Sequence, residues 1–185
     1  MAPPSTRLVR LKVTLQNVRP AIWRRLLVPA AFTLRQLHQV LIAAMGWHGS
    51  HLHHFFIRGR FYGKPDPELG ADTLDERLHN LEHVLALGAR SFQYEYDFGD
   101  GWVHRIAIEK VEESKGRPLR PVCLAGKRSC PPEDCGGPRG YADLLTILAD
   151  PSDPEHEERK EWLGTHFHPE RFDLDEVNAA LRRLR

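Results

Sequence analysis

Residues 8–15 alternate, with Val9, Leu11, Val13 and Leu15 on one side and Arg10, Lys12, Thr14 and Gln16 following on the other. That period of two is the signature of a half-buried strand. Asn17 to Pro20 supply a turn and Ile22 to Val28 form a second strand, so a hairpin is expected. The period then changes. Thr33 with Gln36 three residues on is a capping box. Leu34, Leu37, Leu41, Ala44 and Met45 fall on one helical face before Gly46, which predicts a helix over Leu34–Met45. Leu52 to Ile57 reads as a strand covered on both faces. Gly63 to Gly70 reads as a loop, and Asn80 is placed to cap a short helix from Leu81 to Leu87.

The next stretch is the most informative. Phe92, Tyr94, Tyr96 and Phe98 alternate with polar residues, Gly99-Asp100-Gly101 turns the chain, and Trp102, His104, Ile106 and Ile108 alternate again. A three-residue turn sets Phe98 opposite Trp102 and Tyr96 opposite His104, so one face carries an aromatic ladder. Such a face needs helices packed on it. Residues 114–140, rich in proline and glycine, read as irregular. Helices are expected over Tyr141–Ala149, over Glu155–Leu163, and from Leu174, capped by Asp173, to the C-terminus. The fold class is therefore α+β: an antiparallel or mixed sheet with a long aromatic hairpin, flanked by helices, with a helical C-terminal third. One domain is expected over 1–185, with a basic part at 1–60, a Pro/Gly/Cys-rich loop at 114–140 and a helical end at 141–185.

Composition changes this picture little and charge changes it more. A chain of 185 residues, 41% hydrophobic and 28% charged, has globular composition and length enough for a sizeable core. It holds no apolar run of membrane-spanning length. Its first seven residues lack the apolar core of a secretory signal, which gives a cytoplasmic expectation and no membrane partner. The net charge of +1 hides an asymmetry: residues 1–60 carry nine Arg and Lys and no acid, leaving the rest at −8. Such a split means either an anion-binding face or two halves that neutralise each other. Arg10 and Lys12 on one strand with Arg24 and Arg25 on the next form either a basic ribbon able to rest on nucleic-acid phosphates or a solvated strand face.

Four constellations offer chemistry. Cys123, Cys130 and Cys135 are an odd, clustered set, fitting reduced thiols or zinc ligands with His104 or His51 as the fourth donor. Gaps of six and four residues are not the paired knuckles of a zinc ribbon, and free cysteine also packs as a small hydrophobe. Asp97, Asp100 and His104 at the hairpin end could hold a divalent ion or act as acid and base, or be turn residues beside a core histidine. His48, His51, His53 and His54 could ligate a metal, but no carboxylate lies beside them in the sequence. Glu133 and Asp134 are a substrate-facing acidic pair or partners for Arg128 and Arg139. Phosphate-binding loops, nucleophile elbows and dinucleotide fingerprints are all missing. Two readings stand: a non-enzymatic binding or accessory module contacting nucleic acid through residues 1–60, and a metal-dependent zinc enzyme with its site near the Asp97–His104 hairpin and the cysteine loop.

Three longer motifs carry a resemblance. Pro20-Ala21-Ile22-Trp23-Arg24-Arg25 leads to Gly46-Trp47 and His51-Leu52-His53, and the hairpin reads Tyr94-Glu95-Tyr96-Asp97-Phe98-Gly99-Asp100-Gly101-Trp102-Val103-His104. The third runs from Cys130-Pro131-Pro132-Glu133-Asp134-Cys135 through Gly136-Gly137-Pro138-Arg139-Gly140-Tyr141. Together with Trp162-Leu163-Gly164, Phe172-Asp173 and Asn178, the chain resembles the plasmid pRiA4b ORF-3-like family over nearly its whole length. The resemblance implies an α+β domain of bacterial plasmid or insertion-element context with no settled activity. A recombinase-like role, attached to some members, needs a nucleophile among grouped arginines, and no helix here presents that group.

Overall fold

The computed structural model describes residues 7–65, 72–114, 120–164 and 167–184. Its elements in chain order are β1 (Arg7–Leu15), β2 (Trp23–Pro29), α1 (Leu34–Met45), β3 (His53–Ile57), β4 (Arg60–Gly63), β5 (Leu74–Asp75), α2 (Leu81–Ala86), β6 (Ser91–Tyr96), β7 (Trp102–Glu113), β8 (Val122–Lys127), α3 (Gly137–Ala149), α4 (His156–Leu163) and α5 (Leu174–Arg182). The eight strands form one sheet in the order β5-β4-β3-β6-β7-β1-β2-β8. Every neighbour pair is antiparallel except β4 and β5, so the sheet is mixed and the fold is α+β.

The alternation of β1 decides its faces. Val9, Leu11, Val13 and Leu15 are buried while Arg10, Lys12 and Thr14 are half-buried on the opposite side. The apolar side meets the stripe of α1, where Leu34, Leu37 and Leu41 join the same core, each worth about 1.5–3 kcal/mol when fully buried. The helix starts as its residues dictate: the Thr33 side chain accepts from the Gln36 N–H, and the Gln36 side chain accepts from the Thr33 N–H. Asn80 likewise caps α2 through the His83 N–H, and Asp173 caps α5 through Asp175 and Glu176.

Four expectations need correction. The aromatic hairpin forms, but its register is displaced: Tyr96 pairs with Trp102 and Tyr94 with His104. Asp97 adopts a left-handed backbone, φ 57°, which ends β6 early and makes the turn five residues long. Phe98 therefore leaves the ladder and is 42% exposed. The stretch 114–140 is not irregular throughout, because β8 lies inside it as an edge strand on β2, and α3 begins at Gly137 rather than Tyr141. β3 is covered on one face only, since Phe55 and Ile57 are buried while Phe56 is exposed. The loop expected over Gly63–Gly70 begins after β4, a strand too short to show a period, and residues 66–71 lie outside the described residues.

Candidate metal centre and histidine-lined cleft

Three segments remote in sequence converge at the start of β3. The first is His51 itself. The second is the turn after β6, where the Asp97 N–H donates to Leu52 O at 2.8 Å and ties the turn to the residue following His51. Asp97 Oδ1 accepts from the Gly99 and Asp100 N–H groups at 3.0 and 3.3 Å, which leaves Oδ2 directed at His51 Nδ1, 3.6 Å away. The third is the loop before α3. Trp47 Nε1 donates to Pro131 O at 2.9 Å, Tyr96 donates its hydroxyl to Glu133, and the His48 N–H reaches the same carboxylate at 3.0 Å. Asp134 then stands with Oδ1 3.4 Å from His51 Nε2.

Glycine makes this meeting possible. A Cβ at Gly137 would lie 2.2 Å from Asp100 O, and one at Gly140 would lie 2.0 Å from Cys135 O. Backbone packs directly on backbone here, so the N-terminus of α3 seats against the β6–β7 turn. One ligand atom from each of His51, Asp97 and Asp134 lies within 4.8 Å of the others, the group of that kind found among the described residues. Both aspartates hold left-handed backbone, φ 57° and 59°. Strained residues persist where surrounding structure over-determines them, and they cluster at functional sites.

Beside this group opens a cleft of about 370 Å³, lined by His51 and, deeper, by His38 and His53. The His38 and His53 rings stack 3.5 Å apart and within 4° of parallel. His38 Nδ1 meets the Tyr94 hydroxyl at 2.8 Å, and His53 Nε2 meets Glu76 at 2.8 Å, with Arg35 3.5 Å from the same carboxylate. Burial first, then the charges of His53 and Arg35, push the His38 imidazole down to about 3, so it is neutral near pH 7. Burial also raises Tyr94 well above the usual phenol and keeps it protonated. Tyr96 is pushed up to about 12 by burial and by its bond to Glu133. Burial alone would raise Glu133, but hydrogen bonds from Tyr96 and His48 outweigh it and hold the carboxyl below its ordinary value.

Each member of the histidine run thus has a carboxylate: His48 with Glu133, His51 with Asp97 and Asp134, His53 with Glu76, and His54 with Glu95. None of these acids is a sequence neighbour of its histidine. His38, Glu76 and Tyr94 gave no signal of a site in the sequence, since one sits in a helix stripe, one after a loop and one in an apolar ladder.

The other anticipated residues fall elsewhere. Cys123, Cys130 and Cys135 do not gather with His104 into a common group. Cys123 donates to Ala125 O, and Cys130 receives the Arg24 guanidinium at 3.2 Å and contacts Met45 sulfur. Burial raises all three thiols, Cys135 up to about 12 with the Asp100 charge adding to it. His104 is fully buried, its Nδ1–H donating to Tyr94 O at 3.3 Å, and burial pushes it down to about 4. Asp100 belongs to the turn. Of the basic ribbon, Arg10 pairs with Glu112, Arg25 pairs with Glu109, and Lys12 lies over the Trp23 ring. Arg24, 3% exposed, binds the carbonyls of Ala44, Trp23 and Lys127. Two of these four cations, Arg10 and Arg25, thus pair with acids of the second half, as the second of the two readings of the charge split has it. Arg128 reaches Glu170 rather than Glu133 or Asp134. No helix among the described residues is long and apolar enough to cross a membrane.

Comparison with known proteins agrees with this architecture. The chain is 47% identical over 177 residues to the uncharacterised protein y4hQ of Sinorhizobium fredii (strain NBRC 101917 / NGR234), covering 95% of this chain and 88% of that one. The crystal structure of a protein of unknown function, MM3350 from Methanosarcina mazei Go1, superposes with a TM-score of 0.84 at 34% identity, over 92% of this chain and 97% of that one. The family model of the plasmid pRiA4b ORF-3-like proteins matches residues 7–176. With that span and that fold, the chain belongs to the plasmid pRiA4b ORF-3-like family.

Proposed function

We propose that the protein is a metal-dependent enzyme whose divalent cation is held by His51, Asp97 and Asp134 and whose small-molecule substrate occupies the adjoining histidine-lined cleft. The observation that carries this reading is the single imidazole flanked by two carboxylates, both on left-handed backbone. One nitrogen and two carboxylate oxygens suit zinc or manganese, and three protein ligands leave positions for water and substrate. A bound cation supplies a water acidic enough to ionise near neutral pH. His53, oriented by Glu76 in the same cleft, has the partnered arrangement of a general acid–base. The reading keeps the location expected for a metal enzyme near the hairpin and the cysteine loop but replaces the cysteines and His104 as ligands.

The two ring nitrogens of His51 each face a carboxylate, which also describes an imidazole bridging two acids without any metal. Calorimetric titration of tag-free protein with Zn²⁺ and Mn²⁺ separates the two. One ion per chain is expected, with affinity reduced about 10- to 100-fold in Asp97→Asn and Asp134→Asn. Asparagine tolerates the same left-handed backbone and preserves the turn acceptor at Asp97, so both variants are expected to fold. Unaltered titrations in both, or none in the parent, would leave only the bridging imidazole.

A further inference from the structure

The cleft has two unlike walls. Arg35 and Lys64 line it together with His51. Its outer lip is apolar: Leu52, Phe61 and Phe98 are all exposed large hydrophobic side chains at its mouth. The His54 ring lies 4.9 Å from Phe98 and 4.8 Å from Phe61, so three rings form a continuous row. A volume of about 370 Å³ lies within the range of small-molecule sites.

Charge states what the polar wall takes. Arg35 and Lys64 line the cleft, and carboxylates paired with its histidines, Glu76, Asp97, Asp134 and Glu95, stand outside the lining. A divalent ion on the proposed ligands adds a third cationic centre to Arg35 and Lys64. Three cationic centres along the polar wall then suit a dianion with three terminal oxygens better than a carboxylate with two. The exposed rings at the lip offer a stacking surface for a flat group attached to that anion, where each stacked ring contributes roughly a tenfold gain in affinity.

We propose that the cleft binds a phosphate monoester carrying a flat aromatic group, of the kind a nucleoside monophosphate represents, with its phosphate toward the metal ligands, Arg35 and Lys64, and its ring on Phe98 and Phe61. This rests on the metal reading above.

The test is calorimetric titration of the full chain, with Mn²⁺ and after chelation, against AMP, adenosine and inorganic phosphate. With Mn²⁺, AMP is expected to bind about tenfold or more tighter than inorganic phosphate, and adenosine at least tenfold weaker than AMP. Phe98→Ala, at an exposed turn position, is expected to lower AMP affinity about tenfold and leave phosphate unchanged. Arg35→Gln is expected to weaken both. Equal affinities for AMP and phosphate, equal affinities for AMP and adenosine, or AMP binding unaffected by chelation would each overturn the assignment. Metal titration is read separately. A chain that takes up one Mn²⁺ but shows none of this discrimination rejects the phosphate-ester inference alone, whereas a chain that takes up no metal rejects the reading beneath it.

Discussion

Two sets of metal-ligand residue types in this chain meet opposite fates. Cys123, Cys130 and Cys135 are neighbours in sequence, yet with His104 they make no common group, and burial raises every thiol. His51, Asp97 and Asp134 are separated by 46 and 37 residues in the numbering, yet their donor atoms converge. The difference lies in what each set is attached to. The first two cysteines sit where strand β8 and its following loop face the core, so packing claims them. Both aspartates stand on left-handed turns beside direct glycine contacts, so their carboxylates are aimed at His51, that of Asp97 from a buried position and that of Asp134 from an exposed one. Proximity in sequence says little about a site; the devices that clamp two turns together say more.

The largest expected effect comes from breaking that clamp. Gly137 has φ 68° and no room for a side chain beside Asp100 O. Gly137→Ala therefore combines a left-handed alanine with overpacking, together about 2–4 kcal/mol of lost stability. The turn and the Asp134 loop separate with it, so metal uptake falls as well. Urea unfolding and metal titration on the same preparation check both. If stability drops while metal affinity holds, Gly137 supports the fold without assembling the site.

The second prediction concerns His104, which the sequence grouped with the cysteines. Burial holds it at about 4, against 6.5 for the unfolded chain. Below pH 6.5 the unfolded state binds a proton that the native state does not, so stability is complete above that pH and is lost as pH falls toward 4. At pH 4.5 this amounts to about 3 kcal/mol for the one group. His104→Leu should therefore lose about that much less stability between pH 7 and 4.5, measured by urea unfolding at both pH values, with metal stoichiometry unchanged. Parallel losses in the two proteins would show that His104 is not what makes the fold acid-labile.

Much of the scaffold was legible because local rules dictated it. The α1 boundaries follow from Thr33 and Gln36 at one end and the Leu34–Leu37–Leu41 stripe between, and the β1–β2 hairpin follows from alternation. The β6–β7 register was not legible, since nothing in the run of rings announces that Asp97 turns left-handed and ejects Phe98. β8 was hidden for a different reason: an edge strand bordered by prolines has neither a clean alternation nor a hairpin signal. The site was half visible. His51 and both aspartates were each noticed, but as members of different constellations, because the pairing of His51 with acids remote in sequence is set by tertiary contacts such as Trp47 to Pro131 and Gly137 to Asp100.

The smallest expected effect gives the sharpest contrast between the two sets. Cys135 is half-buried and pushed up to about 12 by burial and by Asp100, against about 8.5 for a free thiol. At pH 8 its thiolate fraction is lower by roughly three orders of magnitude. The more basic thiolate is also the better nucleophile, with a Brønsted slope of about 0.5, which recovers about half of that on a logarithmic scale. Alkylation by iodoacetamide should therefore run roughly 50-fold slower than for free cysteine. It should accelerate nearly tenfold per pH unit up to pH 10, followed at the Cys135 peptide by mass spectrometry. A cysteine that ligates zinc is shielded by the metal. Because Cys135 stands outside the His51–Asp97–Asp134 group, saturating Zn²⁺ should not slow its alkylation; strong protection by Zn²⁺ would return the cysteine to the metal site.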